Sequence, residues 1–165
     1  MNDAAGAGRR GQLGAAGRIY IGFEALAARL ESPFLLLVRL YFGWQFLQTG
    51  WGKLHTLPHV IQFFTTLSIP APGIAAPCVA TLEFVGGLLL ILGLGTRLVG
   101  LLLTGNMLVA YITADREGLA SLFSADATKF FSADPFPFLA AALIAFVFGA
   151  GAFSLDYLLA RRTRV

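Results

Sequence analysis

Cysteine is almost absent from this chain: Cys78 stands alone among 165 residues. One thiol cannot close an internal disulfide, build a CxxC relay or hold an Fe–S cluster. Its expected place is that of a small buried apolar side chain. Histidine is nearly as scarce. His55 and His59 lie four apart in one short segment, so they cannot offer axial ligands to a haem from two separate spans. Pro58 disfavours helix at Leu57 and leaves the pair straddling a helix start, so no metal site is expected there either. No glycine-rich nucleotide loop is found. Charge is the third scarcity. Asp, Glu, Lys and Arg make up 13% of the residues, where soluble domains carry about a quarter.

What fills the chain instead is apolar: 57% of residues are hydrophobic and mean hydropathy is +0.75. That is the composition of a polytopic membrane protein, and the length leaves no room for a second, soluble core. The net charge of +3 could suggest a nucleic-acid partner. However, Lys and Arg lie outside the hydrophobic runs and mostly at the two ends, which is the orientation signal of a membrane protein. The expected partner is the lipid bilayer, with no nucleic acid.

The central stretch is Ala75 to Arg97, AAPCVATLEFVGGLLLILGLGTR, with Glu83 near its middle. A bilayer crossing takes roughly 20 apolar residues at about 1.5 Å each, so the carboxyl falls near the midplane. A charge at that depth costs on the order of 2.5 to 3.5 kcal/mol, so Glu83 should face the bundle interior and be paired or protonated.

In chain order, residues 1–17 (MNDAAGAGRRGQLGAAG) have nothing to bury and read as a disordered basic arm. Arg9-Arg10 does not make a twin-arginine export signal, because Glu24, Arg29 and Glu31 interrupt the next apolar stretch. Over residues 18–31, Ile19, Phe23, Leu26 and Leu30 share one helical face, which predicts an amphipathic interfacial helix. Ser32-Pro33 reads as the cap and first-turn proline of the next helix. A transmembrane domain then occupies residues 34–158, with spans at 34–53, 75–94, 98–114 and 138–158, followed by a basic cytoplasmic tail at 159–165. The fold class is therefore all-α: an antiparallel four-transmembrane-helix bundle with an N-terminal interfacial helix. Leu54 to Gly73 carries three prolines and is too short to cross, so it reads as a surface segment holding the two histidines. Asp115 to Pro137 reads as a polar loop in which FSAD occurs twice. In the last span, Ala141, Ala145 and Gly149 form a small-residue packing ridge.

The first span, FLLLVRLYFGWQFLQTGWGK, sorts its unusual residues onto two faces. Arg39, Gly43, Phe46, Gly50 and Lys53 fall within about 40° of one line, with Tyr41, Gln45, Gln48 and Gly52 opposite. Lys53 beside Trp51 reads as an interfacial anchor with a snorkelling ammonium, or as part of an intramembrane polar set. In the third span, Asn106 lies at nearly the depth of Glu83. The two could satisfy each other as helix glue or share a ligand. Tyr111 reads as part of the aromatic belt. The candidate ligand-binding set is Arg39, Gln48, Lys53, Glu83 and Asn106, with Glu83 the candidate catalytic group. By the positive-inside rule both termini are cytoplasmic, which places Arg39 in the inner half, roughly 9 Å below Glu83 and out of easy pairing reach.

Several segments resemble one family. Phe46 to Leu54 (FLQTGWGKL) resembles the F-x-x-x-G-x-x-K-L element of the DoxX family. Leu82 to Gly87 (LEFVGG) and Leu92 to Arg97 (LGLGTR) resemble its E-x-x-G-G and G-x-x-T-R elements, and Gly149 to Asp156 (GAGAFSLD) its G-x-G-x-x-S-L-D ending. Arg39 also falls where the family's first helix carries an arginine. The resemblance covers about residues 34–162 and implies a small four-helix bacterial inner-membrane protein. It also implies a link to quinone-coupled sulfur oxidation, as in small subunits of thiosulfate:quinone oxidoreductase, or to oxidative-stress complexes.

Three functions stay open from sequence. The first is a subunit of a membrane redox system that holds a quinone or small ligand around Glu83, with no cofactor of the chain's own and quinone as the candidate. The second is a non-catalytic anchor or assembly subunit, with other subunits or a second copy as partners. The third is a small transporter, disfavoured because no inverted repeat is found.

Overall fold

The computed structural model describes residues 15–124 and 127–162. The basic arm expected over residues 1–17 lies outside them except for its last three residues, and the tail lies outside them beyond residue 162. The described residues are helical, with no strand among them. In chain order the helices are α1 (Ala15–His55), α2 (Leu57–Thr66), α3 (Pro72–Leu92), α4 (Thr96–Ala114), α5 (Arg116–Ser121), α6 (Thr128–Ser132), α7 (Pro135–Phe148) and α8 (Leu155–Arg162).

Two of these, α3 and α4, are long and apolar enough to cross a membrane. The first long helix misses that standard because Arg39, Gln45, Gln48 and Lys53 dilute its hydropathy. The seventh is apolar throughout, but its 14 residues reach only about 21 Å. Helix α1 packs on α3, α3 on α4 and α4 on α7, and α1 also touches α7. Between them lies a core of Phe46, Leu90, Leu103, Met107, Tyr111 and Ala142. The glycine face read from the first span is the contact face. A Cβ on Gly50 would stand 2.3 Å from the Phe84 backbone nitrogen, and one on Gly87 2.5 Å from the Gly43 carbonyl oxygen. Helix backbones approach this closely only where side chains are missing.

Four expectations are corrected. First, no helix begins at Ser32-Pro33, because α1 runs through both residues for 41 residues in all, with Pro33 inside it. A proline removes one hydrogen bond and bends a helix, but membrane helices tolerate it where neighbouring groups re-satisfy the backbone. Ser32 is not a cap: its hydroxyl accepts from the Ala152 backbone N–H at 3.1 Å.

Second, the helix expected over 138–158 does not run to Leu158. It stops at Phe148, since Gly149 (φ +78°) and Gly151 (φ +70°) take left-handed conformations that end a helix. The chain thereby turns back so that the Asp156 N–H donates to the Gly93 carbonyl at 2.9 Å. Its carboxylate accepts from the N–H groups of Gly95 at 2.7 Å and Thr96 at 2.9 Å. Asp156 is thus a cap for α4 supplied from 60 residues away. Asp156→Ala is expected to cost about 0.5–2 kcal/mol, the usual value of a lost N-cap, read as a lowered midpoint in a thermal melt of the purified protein.

Third, Tyr111 is not in an aromatic belt. It is fully buried, its ring stacks on Phe130 at 4.8 Å, and its hydroxyl donates to the Phe130 carbonyl at 2.8 Å. The α5–α6 segment folds over the end of α4 and supplies that partner. Fourth, Cys78 is exposed on α3, not buried.

Candidate functional site

The carboxylate of Glu83 is buried at 2% exposure, yet it is fully partnered. Lys53 Nζ donates to both of its oxygens at 2.6 Å, and Asn106 Nδ2 donates to Oε1 at 3.0 Å. Each partner comes from a different helix. Lys53 lies on α1 one turn beyond Gly50, whose missing side chain lets α1 settle onto α3. Glu83 projects from the middle of α3, and Asn106 from α4 at a matching depth. A bare carboxylate in hydrocarbon is costly, and the ammonium with two geometries of approach offsets that cost while leaving the trio neutral.

The trio lines a cavity of about 520 Å³. The rest of its wall is largely apolar: Phe46 and Thr49 from α1, Val79 from α3, Met107 and Ala110 from α4, and Phe138 from α7. Helix α2 covers one side with Val60 and Phe64, joined by Leu67 just past its end. Exposed His59 and Asp134 also line the cavity, so it communicates with the outside beside them. Lys53 retains 34% side-chain exposure while Glu83 keeps 2%, so an entering molecule meets the ammonium first. An ammonium has three N–H donors, and two of them are engaged by the carboxylate. No acceptor for the third is found among the described residues.

Of the five residues expected from sequence, Lys53, Glu83 and Asn106 come together, and two do not join them. Gln48 is exposed on the outer face of α1, opposite the glycines, because the helix turns its other side to α3. Arg39 is buried at 2% exposure but belongs to the other end of the structure, where its Nη2 donates to the Phe153 carbonyl at 2.7 Å. Its Nε and Nη1 have no hydrogen-bond partner. Lys53 is no free interfacial anchor, since the carboxylate holds its ammonium. The histidines fall as read, His55 at the end of α1 and His59 in the first turn of α2. The wall contributed by α2 was missed. Its signal was the spacing of Val60, Phe64 and Leu67, one apolar face within a segment dismissed for its prolines.

The DoxX family model matches residues 34–116, half of the chain and the part that carries all three residues of the trio. Among curated proteins, the chain is 36% identical over 78 residues to "Putative oxidoreductase CatD" of Bacillus subtilis, a stretch covering 47% of this chain and 57% of that relative. The chain thus spans little more than half the length of that relative. It is 30% identical over 138 residues to "Inner membrane protein YqjF" of Escherichia coli, covering 81% of this chain and 98% of that protein. No solved structure matches it significantly. On the family match and the near full-length similarity together, this protein is a membrane protein belonging to the DoxX family.

Proposed function

We propose that this chain is a multi-pass inner-membrane subunit that supports a membrane redox system, and that its cavity receives the polar head of a quinone-type molecule. In this reading α1, α3, α4 and α7 are the four antiparallel spans and both termini face the cytoplasm, as the distribution of Arg and Lys favours. The observation that carries the proposal is the Lys53–Glu83 pair beneath an apolar cavity of about 520 Å³. Membrane-soluble ligands suit largely apolar sites with a few convergent polar groups. The third N–H of Lys53 supplies a hydrogen bond to a ring carbonyl, and Asn106 keeps a free carbonyl oxygen for a ring hydroxyl. The electrons come from a partner protein. The word oxidoreductase in the name of the Bacillus relative supports the same direction.

The test is a thermal melt of the purified protein with decylubiquinone as probe, since a ligand that binds only the folded state raises its melting point. The expected result is a rise for the wild type that is lost in Ala110→Trp, which fills the cavity from its α4 wall, and in Glu83→Gln. No rise for the wild type would overturn the proposal, and a rise unchanged in Glu83→Gln would remove the head group from the trio. A second reading, a non-catalytic anchor for a larger complex, is favoured by one observation: the trio satisfies itself, with Glu83 accepting three hydrogen bonds from within the chain. Recovery of a stoichiometric partner in mild detergent, without any quinone response, would select it.

A further inference from the structure

We infer that a groove along α8 binds an anionic phospholipid, with the phosphate against Arg161 and Arg162 and the acyl chains along Leu94, Leu155, Leu158 and Leu159. These six residues line a cavity of about 520 Å³ that shares no wall residue with the one at Glu83. Four of them are leucines and two are arginines, and no carboxylate lies among them. A wall that is apolar over most of its length and cationic at one end matches an amphiphile with a negative head.

The backbone puts this groove at a membrane surface. Helices α3 and α4 are the two long and apolar enough to cross, and they join through Gly93, Leu94 and Gly95, so that turn marks one face of the bilayer. Leu94 is part of the groove, and Asp156 fastens the first turn of α8 to the same place. Its N–H donates to the Gly93 carbonyl, and its carboxylate accepts from the N–H groups of Gly95 and Thr96. Eight residues reach only about 12 Å, too short to cross, and α8 held at this depth lies where headgroups meet hydrocarbon. There Leu155, Leu158 and Leu159 are 39–56% exposed, and the two arginines occupy the last turn.

Charge selects the head. Asp156 is the one acidic residue of α8, and its carboxylate is committed to the start of α4, so it does not offset the arginines in the groove. Arg161 lies over the Tyr157 ring, 5.7 Å from its centroid. Stacking uses the flat of a guanidinium and leaves the N–H fork at its edge for phosphate oxygens. A free phosphate would match the arginines and leave the leucines uncovered, and a lipid without net charge would do the reverse. Orienting the protein in the membrane takes only flanking charge, which needs no groove. This inference rests on α3 and α4 as spans and not on what fills the cavity at Glu83, so it and the quinone reading fail separately.

The experiment is native mass spectrometry of the full chain released from micelles that hold phosphatidylglycerol and phosphatidylcholine in equal amounts with matched acyl chains. The wild type is expected to keep phosphatidylglycerol in preference, and Arg161→Gln/Arg162→Gln to lose that preference. Leu158→Gln keeps both cations but removes part of the apolar wall, so its retention is expected to fall. Arg29→Gln removes a cation outside the groove and is expected to match the wild type. Equal retention of the two lipids by the wild type, or an undiminished preference in the double variant, overturns the proposal. Unchanged retention in Leu158→Gln, or a loss in Arg29→Gln equal to that in Arg162→Gln, also overturns it, because the contact is then diffuse charge. The independent measurement is a thermal melt, in which phosphatidylglycerol is expected to raise the midpoint of the wild type but not of the double variant. An equal rise with inorganic phosphate would assign the arginines to a free anion and overturn the lipid.

Discussion

Lys53→Met is expected to destabilise the protein by about 3–5 kcal/mol, the cost of removing one partner from a buried pair and stranding the other. The stranded group is Glu83, at 2% exposure and with only Asn106 left to donate to it. The reciprocal change should be milder. Glu83→Gln leaves an ammonium that is 34% exposed and carried on a flexible stem, so it can reach water or a headgroup. The double variant Lys53→Met/Glu83→Gln should recover most of what Lys53→Met loses, because no unpaired charge remains. Denaturation of all four proteins in one detergent gives the coupling directly. If the two single variants lose equal stability and the double variant loses their sum, the groups are not coupled, and the buried trio does not control the site.

The second large effect is expected from a single methyl group. In Gly50→Ala the new Cβ would stand 2.3 Å from the Phe84 backbone nitrogen and 2.8 Å from the Ala80 carbonyl oxygen. Backbone atoms of a packed helix cannot step aside as a side-chain tip can, so α1 must move away from α3. Overpacking typically costs about 1–3 kcal/mol, and a clash with main chain belongs at or above the upper end. Because Lys53 follows Gly50 by one turn, the same displacement draws its ammonium off Glu83, so response to the quinone probe should fall together with stability. Gly52→Ala is the control. A Cβ there meets nothing within 4 Å, and the exchange should stabilise the helix by up to about 1 kcal/mol. Equal melting points for the Gly50→Ala and Gly52→Ala variants would show that the seam is not tight.

The burial of Glu83 and its need for partners were legible in the sequence, because a carboxylate inside a hydrophobic run has few places to go. Asn106 was legible for the same reason. Lys53 was ambiguous: by position alone an ammonium beside Trp51 could reach the interface or the bundle, and only the packing of α1 on α3 decides between them. Arg39 and Gln48 were grouped with the site because one helix carries them all, yet helical phase turns Gln48 outward and helical rise carries Arg39 to the far end. The continuity of α1 was hidden by Ser32-Pro33, a pair that ordinarily starts a helix. The break in the last helix was masked by the alanine spacing, which runs unbroken up to the glycine where the backbone changes hand.

The Phe153 carbonyl that receives the Arg39 guanidinium has a consequence for biogenesis. Arg39 is made early in synthesis, but the carbonyl that accepts its hydrogen bond is made more than a hundred residues later. The guanidinium therefore gains this partner only after the turn that follows α7 has been made and docked.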